Sequence, residues 1–256
     1  MKKIYILPLV FLLSAVCVAS AQQPGDASKQ DAKADKAPAA VTIKANATPL
    51  ELAKTTLAAH GGEKFKNAKT IVVRGSAELT APNSAQTLPA AFAIIYAGDR
   101  YRFDIQAPPV VNFQQISNGD QTYSSMRGLS LPPLNRVGPA VLVNIETKDF
   151  VVSALPEKFK KKKGFRVTSP EGYYTDFIID EKTALVKEYE SSYEVSGQLV
   201  TTAVAVDKYR DVQGVLINEK FSQRLEFGQI TSYASFKAKE ITVNTEVKDD
   251  VFKIPN

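Results

Sequence analysis

In 256 residues the chain has one histidine, one cysteine, two methionines and no tryptophan. Each scarcity excludes something. His60 and Cys17 alone cannot supply a His- or Cys-based metal cluster, and any nucleophile-His-acid triad would have to use His60. Charge of one sign is also lacking. Lys and Arg number 32 against 27 Asp and Glu, a net +5, which falls to +3 once Lys2 and Lys3 of the leader are set aside. That is too mild for a nucleic-acid footprint, so no nucleic acid is expected as a partner. No G-x-S-x-G, P-loop, H-E-x-x-H or dinucleotide fingerprint occurs, and neither a cofactor nor a metal is expected. What remains, 44% apolar and 23% charged, is the balance of an ordinary globular chain.

Residues 1–21 read as a secretory signal. Lys2 and Lys3 open it, an apolar run covers 4–18, and Ala19-Ser20-Ala21 offers a small-x-small cleavage site. The run is shorter than the roughly 20 residues that span a bilayer, which weighs against an uncleaved anchor. Val16 stands where a lipobox would carry Gly, Ala or Ser before its Cys, which weighs against a lipid-anchored start at Cys17. Cleavage at Ala21 removes the only cysteine, so the exported domain must be stable without disulfides. From 22 to 47 the chain is Ala, Lys, Asp, Gln and Pro with scarcely a large apolar residue, the composition of a flexible tether. A single domain is expected over 48–256.

Thr48-Pro49-Leu50-Glu51 predicts a helix start, with Thr48 as N-cap, Pro49 at N1 and Glu51 closing a capping box. Leu50, Ala53 and Leu57 mark its apolar stripe, and Gly61-Gly62 stops it after His60. Strand-like segments then follow between turn signals such as Gly98-Asp99, Asn118-Gly119-Asp120, Ser196-Gly197 and Gln213-Gly214. Alternation is clear over 70–79, where Ile71, Val73, Ala77 and Leu79 oppose Arg74, Ser76 and Glu78, and again over 215–227. In 230–243 the apolar parity switches between Phe236/Ala238 and Ile241/Val243, which predicts a bulge and a curved sheet. About ten or eleven strands are expected, and a sheet so large must curl or close. One stretch interrupts them. Over 131–147, Leu134, Val137, Val141 and Ile145 recur at helical spacing, with Pro139 splitting the helix, and Ala140, Leu142 and Val143 widen its apolar surface. Such an insert is placed to plug the mouth of a curved sheet.

Few residues stand out as chemistry. His60 falls in a last helical turn, where imidazole commonly serves terminal carbonyls. Lys158, Lys160, Lys161, Lys162 and Lys163 suit a solvated hairpin tip better than a site for anionic head groups. Asp249 and Asp250 lack the spacing of a calcium loop.

The helix ending in His60-Gly61-Gly62 and the strand at 69–79 are similar to the opening of outer-membrane lipoprotein-sorting (LolA/LolB-like) proteins. Asp99-Arg100-Tyr101-Arg102-Phe103-Asp104, with Ser117-Asn118-Gly119-Asp120-Gln121-Thr122-Tyr123 after it, resembles that family's strand and hairpin. Residues 208–215 and the segment Asp249-Asp250-Val251-Phe252-Lys253-Ile254-Pro255 resemble its closing strands and tail. The resemblance implies a mainly β, α+β fold: a curved antiparallel sheet forming an unclosed barrel, with an N-terminal helix and a short helical lid over an apolar cavity. It implies a periplasmic carrier or sensor of lipid-modified partners that binds lipid or lipoprotein acyl chains; a monomer is expected, and the thin catalytic inventory predicts no enzyme. On that reading Ile71, Val73, Ile94, Phe103, Phe113, Phe177, Phe221 and Phe236 form the concave face, and Leu134, Val137, Val141 and Ile145 the lid. The family's lid-latching arginine falls here on Gly98 or Asp99, with Arg100 and Arg102 nearby. The alternative is an envelope sensor or interaction module that meets a membrane-protein partner through its surface without carrying lipid.

Overall fold

The structure is a computed structural model, and it describes residues 41, 43–80, 86–126, 131–195 and 197–255. The leader at 1–21, with Cys17, and the tether through residue 40 lie outside the described residues. The packed chain reaches back before Thr48: the Val41 N–H donates to the Lys182 carbonyl at 2.9 Å, and Ile43 and Ala47 pack on the core. No helix among the described residues is long and apolar enough to cross a membrane.

Helix α1 (Pro49–Ala59) starts as its sequence dictates. The Glu51 N–H donates to Thr48 Oγ1 at 3.2 Å, and the Thr48 N–H donates to the Glu51 carboxylate at 2.8 Å. Its buried face is Leu52, Ala53, Thr56 and Leu57. Leu50, expected on that stripe, is 41% exposed. His60 caps the helix, Gly61 and Gly62 turn the chain with φ of 120° and 54°, and the short α2 (Glu63–Lys66) follows.

The rest is one antiparallel sheet of twelve strands. The first five are β1 (Thr70–Thr80), β2 (Thr87–Ala97), β3 (Arg100–Ala107), β4 (Val111–Ser117) and β5 (Thr122–Ser124). The others are β6 (Val151–Ser153), β7 (Gly164–Thr168), β8 (Tyr174–Ile179), β9 (Val186–Val195), β10 (Gln198–Val212), β11 (Val215–Phe227) and β12 (Ile230–Val243). The spatial order is β5-β4-β3-β2-β1-β12-β11-β10-β9-β8-β7-β6. The chain therefore begins in the middle, meanders out to one edge, crosses to the other, and meanders back to pair β12 with β1. The edges β5 and β6 do not meet, so the barrel is unclosed. Both are three residues long, too short to show a period-two pattern, which is why the sequence gives fewer strands than the fold has.

The predicted bulge is present. Arg74 pairs with Glu240 and Gly75 with Ala238, which leaves Lys239 as the extra residue on β12. Curvature there brings Phe92 of β2 within 6.1 Å of Phe221 on β11 and 5.1 Å of Phe236 on β12, with Phe221 stacked on Phe236 at 4.7 Å. This aromatic group fills part of the concave side with the sheet's own side chains. A second cluster lies under α1, around Phe165, Phe177, Val141, Leu142 and Ile145. A third is on the convex face, where the C-terminal turn Asp249–Phe252 lays Phe252 against Val72, Ile95, Ala97 and Ile116.

The crossing between the edges is where expectation and structure part. Instead of α-helix it forms two 3-10 turns, Leu134–Arg136 and Gly138–Asn144. Pro132, Pro133 and Pro139 withhold backbone donors, Val137 is extended, and Gly138 takes φ of 66°, so no continuous α-helical ladder forms. Pro139 starts the second turn rather than splitting one helix. With three residues per turn in place of 3.6, the faces presented by 134–145 also change.

Candidate ligand-binding site

A cavity of about 320 Å³ lies between the concave face and this crossing strap. Ile71 and Val73 of β1, Ile94 of β2 and Ile217 and Phe221 of β11 form its sheet wall. Pro139, Ala140 and Val143 of the second turn cover it, with Phe65 and Ala68 at the α2 end. Cross-strand register puts these side chains on one face: Ile71 opposes Tyr96, Val73 opposes Ile94, and Phe221 opposes Phe236. The volume is at the lower end of the roughly 300–1,000 Å³ of ligand pockets. Room of this size, lined mainly by apolar side chains, accepts an alkyl chain.

Hydrogen bonds tie the strap to both arms of the sheet. On one side Gln115 Nε2 donates to the Pro132 carbonyl at 3.0 Å, and Asn135 Nδ2 donates to the Asp99 carbonyl at 3.1 Å. On the other the Gly138 N–H donates to Thr175 Oγ1 at 2.9 Å, and Arg136 pairs with Glu171 at 3.0 Å. Arg100 and Arg102 take no part in this fastening. Arg100 pairs with Asp249 at 2.7 Å over the Phe252 ring, and Arg102 donates to the Val251 carbonyl at 3.0 Å.

No protein-family model matches the chain, and no curated protein does. Solved structures do. A LolA superfamily protein of Nitrosomonas europaea superposes with a TM-score of 0.51 at 12% identity, covering 81% of this chain and 98% of that one. The fold is LolA-like. A DUF1329 family protein of Desulfovibrio piger (TM-score 0.49, 10% identity, 80% of this chain and 95% of that one) is a looser match. So is a domain named for outer membrane lipoprotein sorting from Vibrio parahaemolyticus (TM-score 0.46, 13% identity, 79% and 95%).

Within this LolA-like frame the sequence-derived residues divide. Ile71, Val73, Ile94 and Phe221 are brought together on the cavity wall. Phe236 lies behind Phe221 in the aromatic group, and Phe177 is fully buried beside Phe165 under α1. Phe103 and Phe113 pair edge to face at 5.6 Å on the β3–β4 arm, off the wall. On the strap, Val141 and Ile145 point into the core at 1% and 3% exposure, while Leu134 and Val137 are half-buried outside the lining. Three-residue periodicity turns Pro139, Ala140 and Val143 to the cavity instead. Three of the five lysines of the basic run, which lies in the crossing from β6 to β7, meet acidic partners. Lys158 pairs with Glu190, Lys162 with Glu188 at 2.6 Å and Lys160 with Glu157 at 2.9 Å.

Sequence reasoning missed a polar group in the cavity: His60, Tyr96, Tyr189 and Tyr209. Burial pushes all three phenols well above their ordinary range. His60 Nδ1 lies 2.9 Å from the Thr56 carbonyl, and the Tyr209 hydroxyl donates to the Val186 carbonyl at 2.7 Å. Because both partners are carbonyls, Nδ1 and the Tyr209 hydroxyl each spend their proton there. The 3.3 Å approach of Nε2 to Tyr209 Oη is then an encounter of two acceptors while the ring is neutral. Neutral is the favoured state, since burial lowers the ring's pKa from 6.5 to about 4, against a smaller opposing effect of the Thr56 bond. An unfolded chain protonates near 6.5 and the folded one only near 4, so stability present above pH 6.5 is lost as pH falls through that window, by about 3 kcal/mol. Urea midpoints measured from pH 7 to 4 are expected to fall less for His60→Gln than for wild type; parallel falls would refute the assignment. Among the described residues no three His, Cys, Asp or Glu side chains converge as metal ligands.

Proposed function

We propose that this chain is an exported, periplasmic, non-enzymatic protein that holds one acyl chain of a lipid or lipid-modified partner in the cavity under the strap. One observation carries the reading: an alkyl-sized void walled by Ile71, Val73, Ile94 and Phe221 and covered by a strap hydrogen-bonded to both arms of an open sheet. The resemblance to lipoprotein-sorting proteins and the LolA-like fold support it. Apolar area drives binding at about 0.8 kcal/mol per buried methylene, so one chain can supply several kcal/mol after ordering costs. Entry requires the strap to lift, and its polar fastenings reform against water at modest net cost.

A second reading, a sensor or interaction module acting through its surface, is favoured by the Phe92, Phe221 and Phe236 group, which fills concave space a larger carrier would leave open. Native mass spectrometry of protein purified from the periplasm without detergent, followed by lipid extraction, decides between them. The expected spectrum carries one co-purifying lipid or lipopeptide. A bare mass, unchanged after incubation with lipid or lipopeptide, would favour the surface module.

A further inference from the structure

Five tyrosines of the sheet divide into two kinds. Tyr101 receives a hydrogen bond from Gln115 Nε2 at 3.0 Å, Tyr193 bonds the Thr202 side chain, and Tyr209 donates to the Val186 carbonyl. Tyr96 and Tyr189 have no such partner among the described residues. Both line the cavity, from opposite arms of the curved sheet, Tyr96 on β2 and Tyr189 on β9. Both are half-buried, and each phenol is close enough for its neighbour's charge to be felt: Tyr101 for Tyr96, and Tyr96 for Tyr189. Buried phenols almost always find a partner. An occupant of the void cuts these two hydroxyls off from water, so their partner must come from that occupant.

We propose that Tyr96 and Tyr189 donate to an acyl carbonyl, so that the cavity selects a chain carrying an ester or amide C=O over plain hydrocarbon. This rests on the acyl-cavity reading above and narrows it. A bare alkyl chain of the same size would expel water from both hydroxyls and give nothing back, whereas a carbonyl oxygen has two lone pairs, one for each donor. The apolar wall supplies affinity, and the two phenols fix how far the chain is threaded. The ester of a glycerolipid and the amide of an N-acylated lipopeptide share this chemistry.

The test uses the full-length exported protein loaded with a fluorescent apolar probe, competed by methyl decanoate, N-methyldecanamide and tridecane, which match in heavy atoms. Wild type should prefer one or both carbonyl compounds by roughly ten- to a hundredfold, the discrimination an unpaired buried donor imposes. Which of the two is favoured tells ester from amide. In Tyr96→Phe/Tyr189→Phe the preference should vanish while tridecane binds at least as well and the melting temperature is unchanged or raised, which also shows that the variant folds. Equal competition by all three in wild type, or a preference that survives the double substitution, overturns the inference alone. Competition by none overturns it together with the acyl-cavity reading.

Discussion

Ala140→Trp is expected to cut uptake of a fluorescent acyl probe by roughly a hundredfold while leaving the sheet folded. Ala140 lines the cavity from the strap, whereas its neighbours Val141 and Leu142 are 1% and 0% exposed in the core beneath α1. An indole at position 140 therefore enters the void without disturbing what anchors the strap. Excluding about four methylenes from a cavity of this size forfeits about 3 kcal/mol at 0.8 kcal/mol each, and that is about a hundredfold in affinity. Probe titration with a thermal melt of the same sample checks it. Full binding by a folded variant would place the acyl site elsewhere on the protein.

Gly75→Ala adds one methyl group and is expected to destabilise the protein by about 3 kcal/mol or more, the upper end of overpacking costs. Gly75 sits where the bulge draws β12 against β1. A methyl group there collides with the Lys237 carbonyl oxygen and comes within 2.9 Å of Ala238 Cα, both backbone and unable to swing aside. The same glycine lies in register between Phe92 and Ala238, and its missing side chain leaves room for Phe92 to reach Phe221 and Phe236. Relief by straightening the sheet would separate those rings. Differential scanning calorimetry should show a midpoint lowered by about 6–12 °C for a domain of this size. A midpoint within a degree of wild type would mean that the bulge is not the constraint described.

The cavity was half legible. Ile71, Val73, Ile94 and Phe221 share the cavity wall because strand alternation decides which residues share a face, and period two survives curvature. A period of 3.6 assigns Val141 and Ile145 to the cavity, while the three prolines and Gly138 impose a period nearer three and send those two side chains to the core. In sequence Tyr96 and Tyr189 are simply aromatics in strands. Whether a phenol in a strand finds a partner depends on residues far away in sequence, as with Tyr209 and the Val186 carbonyl, 23 residues apart.

Local chemistry settled the local features in advance. The capping box at Thr48 and Glu51, the stop at Gly61-Gly62, the one-sided strands and the bulge near Lys239 each follow from residues within a few positions of one another. The open curved sheet followed from the number of strands and that bulge. Pairing was another matter. That β1 meets β12, and that residues 131–150 must cross from edge β5 to edge β6 over the concave face, is a property of the whole chain's path. Only that path decides that the strap is a cover, that the aromatic group fills one part of the concavity and leaves another empty, and that two tyrosines from opposite arms line the same void. Such contacts join residues about a hundred positions apart, and no periodicity in a single segment carries information over that distance.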